Sequence, residues 1–113
     1  MAANSEIILS ANTHPGDSTT ETITGDKFKG DGYYGRSDGL HSVQYTYSGL
    51  TGTIKIQATL EINPIDEDWF EVHSYTAAQE SGSKIENFTG NYVWIRAVIE
   101  YTDGTIDSIV LNH

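Results

Sequence analysis

"TGTIKIQATLEI", Thr51 to Ile62, decides the fold. Ile54, Ile56, Ala58, Leu60 and Ile62 recur at every second position, and Lys55, Gln57, Thr59 and Glu61 fill the places between. A period of two sends the two sets to opposite faces of an extended chain, so this is a strand with one buried face. A helix needs a period near 3.6, and no stretch holds a convincing one. Upstream, "HSVQYTYS" puts Val43, Tyr45 and Tyr47 on one side. "SGLTG", Ser48 to Gly52, lies between these two runs and reads as a hairpin turn. Downstream, "NYVWIRAVIEY" is apolar on both faces, with Val93, Ile95, Ala97 and Ile99 on one and Tyr92, Trp94 and Val98 on the other. It reads as a central strand. Asp103-Gly104 separates it from "TIDSIVLN", a second hairpin signal.

Shorter candidates are "EIILS", "ETITGDKF", "WFEVHSY" and "SKIENF", while "YTAAQESGS" suits one helical turn. About eight short strands broken by Gly, Asp, Asn and Pro predict an all-β protein, an antiparallel β-sandwich of jelly-roll type. Its core is expected to join Ile54, Ile56, Ala58 and Leu60 to Val93, Ile95, Ala97 and Ile99. No repeat or linker interrupts the 113 residues, so residues 1–113 read as a single domain. Residues 1–5 and the loop Ala11 to Thr20 are expected to be mobile.

The formal net charge is −10, from 6 basic and 16 acidic residues. Such a surface repels phosphate backbones and anionic membranes, so neither nucleic acid nor a membrane is an expected partner. Cysteine is absent, which removes thiol nucleophiles, disulfides and Cys-type zinc sites. The start "MAANSEIILS" has no basic region ahead of an apolar run, so no secretory signal is read there.

"KGDGYYGRSDG", Lys29 to Gly39, contains Gly30, Gly32 and Gly35 in the order G-x-G-x-x-G. A dinucleotide loop needs a strand before it and a helix after it, with the pyrophosphate on the helix N-terminus. A β pattern follows instead, and Asp31 would meet a phosphate with negative charge. The glycines are therefore expected to serve turns or close backbone approach, not a nucleotide.

Catalysis is not expected. His14, His41, His73 and His113 form no short metal-ligand spacing, and no G-x-S-x-G elbow occurs. No cofactor is implied, although Asp26, Asp31 and Asp38, and the knot Asp66, Glu67 and Asp68, offer oxygen ligands of the kind calcium takes. A solvated turn begun by Asn63-Pro64 accounts for the second cluster equally well. Aromatic rings are the better lead, because flat rings pack on the C–H faces of sugars. Tyr33, Tyr34 and Arg36 share the glycine loop, and Trp69 precedes Phe70 after the acidic knot. These four, Tyr33, Tyr34, Arg36 and Trp69, are the candidate contacts for a ligand or partner. The competing role for Trp69 and Trp94 is as plugs between sheets. Arg96, set mid-strand, is expected to pair with an acid on a neighbouring strand.

Two stretches carry a resemblance: "GTIKIQATLEINPIDEDWFEV", Gly52 to Val72, and "FTGNYVWIRAVIEYTDGTIDSIVLN", Phe88 to Asn112. Their order of strand, Asp-Trp turn and aromatic-x-x-Ile-Arg strand resembles the galactose-binding-like (discoidin-like) jelly rolls. It is also similar to small virion structural proteins of tailed, marine myovirus-like phages. The resemblance implies a non-enzymatic virion module, assembled in the host cytoplasm and acting through protein–protein contacts with other virion subunits or itself. The alternative it implies is a carbohydrate-binding module that attaches to a host glycan through loops at one end. It carries over no ligand residue.

Overall fold

The computed structural model describes residues 5–17, 19–34 and 39–112. Among these, seven strands and one short helix follow in order: β1 (Ser5–Leu9), β2 (Asn12–Thr13), β3 (Glu21–Thr24), β4 (Phe28–Lys29), α1 (Asp31–Tyr34), β5 (Leu40–Thr59), β6 (Phe70–Thr89) and β7 (Trp94–Asn112). A 3-10 turn, Asp66–Asp68, lies between β5 and β6. The strands run in the order β1-β7-β5-β6, and β2, β3 and β4 also pair along β7. Every pairing is antiparallel. No helix among the described residues is long and apolar enough to cross a membrane.

Three strands of 19 or 20 residues replace the predicted short ones. Each passes straight through a predicted break. β5 continues across Ser48–Gly52, and β7 continues across Asp103-Gly104, so neither is a hairpin. The segment expected to make a helical turn is extended within β6. What the breaks do instead is bend the strands at one level. The registers slip between Tyr47 and Thr51 on β5, where Gly49 has φ +58°, and Gly104 on β7 has φ +98°. On β6 the left-handed residues are Gln79 and Gly82. A bulge adds a residue, bends the strand and exchanges its faces. The inward row of β5 accordingly changes from Val43, Tyr45 and Tyr47 to Leu50, Ile54, Ile56 and Ala58, all buried.

The bend folds one sheet into two layers. Residues 40–48, 80–89 and 105–112, with β1, make one layer; residues 51–59, 70–78 and 94–103, with β3 and β4, make the other. Contacts cross between them. The Tyr45 hydroxyl lies 3.3 Å from His73 Nε2, and the Tyr45 and Tyr75 rings are 5.8 Å apart. The result is the antiparallel β-sandwich that the alternation predicted. Its core takes Ile54, Ile56, Ala58, Ile95, Ala97 and Ile99 as expected. Leu60 does not join it: β5 ends at Thr59, and Leu60 is 68% exposed. Val93 stays half-buried ahead of β7. Ser5 begins β1 and pairs with Asn112.

Close packing accounts for the glycine loop. A Cβ on Gly32 would stand 2.7 Å from the Asn91 carbonyl carbon and closer still to its oxygen. Gly30 would similarly strike the Tyr92 carbonyl. The short helix α1 therefore lies directly on the backbone that leads into β7. Gly35 lies outside the described residues.

Candidate functional site

The chemistry converges on one end of the sandwich, where β5 stops and β6 and β7 start. Thr59 faces Trp94, and Ala58 faces Phe70. The intervening loop, residues 60–69, is fastened from several sides. The Trp94 indole N–H donates to the Ile62 carbonyl at 2.9 Å. The Glu61 N–H donates to Thr59 Oγ1, and the Val93 N–H to the Thr59 carbonyl. The Asp68 carboxylate accepts the Ile65 N–H at 2.9 Å, while the Asp68 N–H returns to the Ile65 carbonyl at 3.0 Å. A loop held this way presents its side chains in a fixed arrangement, which lowers the ordering cost of binding.

An open groove of 480 Å³ lies against this loop. The figure falls in the range of small-molecule sites, about 300–1,000 Å³. Phe70, Val72, Leu60 and Tyr92 give it apolar walls, and Glu61, Glu67 and Asp68 stand along it as carboxylates. Phe70 is 70% exposed although it pairs with Ala58, which is buried in the core. Tyr92 is anchored on the other side by Phe88 and His41, whose rings stack 5.1 Å apart. His41 is itself fixed. Its Nε2 accepts the Asp31 N–H at 3.1 Å, and its Nδ1 donates to the Gly39 carbonyl at 2.8 Å. Apolar ring faces beside hydroxyl acceptors suit a sugar. Among the described residues the groove lining has three carboxylates and no basic side chain, so it favours a neutral ligand.

The residues named from the sequence fall elsewhere. Trp69 closes the 3-10 turn just ahead of β6 and lies against Arg96. Its ring lies under the Arg96 guanidinium at 4.4 Å. Arg96 Nε donates to Gln57 Oε1 at 2.8 Å, and Arg96 stands 3.5 Å from Asp66. Its acid partner thus comes from the loop, not from a neighbouring strand. Trp94 is half-buried on the outer face, not a plug between the layers. Tyr33 is 46% exposed, with its ring 5.1 Å from that of Trp94. Arg36 and the Tyr34 side chain lie outside the described residues. Phe70 and Tyr92, which line the groove, were not among the four candidates read from the sequence. Among the described residues no cluster of three or more His, Asp or Glu side chains is placed to hold a metal ion.

No family model matches the chain, and no curated protein matches its sequence. Solved structures do resemble it. The protein PirA is similar at a TM-score of 0.55 and 13% identity, over 99% of this chain and 94% of PirA. The K1 cleaved adhesin domain of Lys-gingipain from Porphyromonas gingivalis W83 is similar at 0.51 and 6% identity, over 99% and 92% of the two chains. The C-terminal CBM6 of LamC from Zobellia galactanivorans gives 0.47 and 11%, over 97% and 100%. None of these neighbours points to a phage particle. The likeness to the first two shows that the chain shares their overall fold.

Proposed function

We propose that this protein is a non-enzymatic carbohydrate-binding module that holds a neutral glycan in the groove between Phe70 and Tyr92. The observation that carries the reading is Phe70. A phenylalanine this exposed, at the mouth of an apolar groove with carboxylates alongside, has the makings of a sugar platform: ring below, hydroxyl acceptors around it. The fastened loop supports the same reading, because it presents the groove already formed. The virion-subunit reading needs a surface for a protein partner, and the groove's carboxylates give it no particular support; charged residues are depleted at the centres of such interfaces.

The test is a neutral glycan array probed with wild type and Phe70→Ala. Binding by wild type that Phe70→Ala loses, with an unchanged thermal midpoint, supports the proposal. Absence of binding by wild type, together with self-association in sedimentation, would transfer the reading to assembly.

A further inference from the structure

We infer that the outer face of the same end is a second binding surface, one that takes an acidic saccharide, carboxylated or sulfated. Alternation along β7 builds it. Ile95 and Ala97 are buried in the core, so Trp94 and Arg96 project from the other side. β4 lies beside them in the register Lys29↔Trp94. Phe28 packs inward, leaving Lys27 and Lys29 exposed on either side of it.

The cations sit over rings. Lys27 Nζ is 4.6 Å from the centre of the Trp94 ring, and Lys29 Nζ is 4.6 Å from that of Tyr33. The two rings are 5.1 Å apart, inclined at 55°. Arg96 over Trp69 extends the row. Three of the chain's 6 basic residues thus gather on one face of a protein of net charge −10. Arg96 is already answered by Asp66 and Gln57. Lys27 and Lys29 are in no salt bridge among the described residues.

Charge selects the ligand. An exposed ammonium is held only weakly by a ring, so an incoming anion draws it aside at little cost. That move uncovers the Trp94 ring for the C–H face of the sugar that carries the anion. A saccharide with one charge per unit meets less repulsion from the acidic remainder of the chain than a nucleic-acid duplex, which carries two charges per base pair. The inference does not rest on the groove, whose carboxylates repel the same ligand.

Calorimetry with a galacturonate hexamer, a sulfated galactose hexamer and a neutral galactose hexamer tests it. At least one acidic hexamer should bind, more tightly than the neutral one. Its affinity should fall about tenfold or more in Lys27→Gln/Lys29→Gln and on raising NaCl from about 50 to about 500 mM. Phe70→Ala should leave it unchanged, while removing any neutral-glycan binding at the groove. The inference is overturned if neither acidic hexamer binds, if the double variant binds as wild type does, or if Phe70→Ala abolishes acidic binding. Tighter capture of an oligothymidylate than of either acidic hexamer also overturns it.

Discussion

Replacing Gly104 with alanine tests the bend that folds one sheet into two layers. Gly104 has φ +98°, and an added Cβ would stand 2.6 Å from both the Gly49 carbonyl carbon and Leu50 Cα. Holding a side-chain-bearing residue at such a φ costs about 1–3 kcal/mol. The collision adds to this, because its partner is backbone of the adjoining strand and cannot rotate away; overpacking of this kind costs about 1–3 kcal/mol. The sum is about 2–6 kcal/mol. Gly49 supplies the control. Its φ is +58°, and nothing lies within 4 Å of its would-be Cβ. Gly49→Ala therefore carries only the left-handed cost, about 1–2 kcal/mol. Urea unfolding followed by the fluorescence of Trp69 and Trp94 reads both variants. The account requires Gly104→Ala to be the more damaging of the two. Equal losses, or a Gly104→Ala protein as stable as wild type, would refute the close approach of β7 to β5 at this point.

Ile56 is fully buried and Leu60 is exposed, so Ile56→Ala should cost about 2–5 kcal/mol and Leu60→Ala well under 1 kcal/mol, as read by denaturant midpoints. Burial, with smaller contributions from the charges of Glu86 and Tyr47, pushes the Tyr45 phenol from 10.0 up to about 12. Its folded value is raised, so its contribution is fully present below pH 10 and is lost as pH climbs to 12, on the order of 2–3 kcal/mol in all. Tyr45→Phe should remove that part of the alkaline destabilisation; an unchanged pH profile in the variant would assign the loss to other groups. The Lys55–Glu100 pair, 2.7 Å apart on a partly exposed face, should contribute about 0.2–1 kcal/mol, lost in Glu100→Gln and reduced by high salt in unfolding experiments.

The faces of the two central strands were legible because alternation is local. Ile54, Ile56 and Ala58, and Ile95, Ala97 and Ile99, needed no knowledge of their partners. The ends of those rows were not. Whether Leu60 and Val93 are covered depends on where the opposite layer stops, which is a tertiary matter. The bends were misread as hairpins for a different reason. A glycine at positive φ serves a tight turn and a bulge alike, and only the register with the neighbouring strand distinguishes them. The groove was hidden by distance along the chain. Phe70 and Tyr92 are brought together by the antiparallel start of β6 and β7 beside the end of β5. The outer face was more accessible than it seemed: "DKFKG" alternates cation, ring and cation, and that pattern alone places Lys27 and Lys29 side by side on a strand.

The groove itself is tested most directly by an NMR titration of the labelled protein with neutral oligosaccharides of the kinds the array carries. The account predicts amide shifts confined to Leu60, Glu61, Glu67, Phe70 and Tyr92, saturating with ligand and absent in Phe70→Ala. Shifts centred on Lys27, Tyr33 and Trp94, or no shifts with any neutral oligosaccharide, would contradict it.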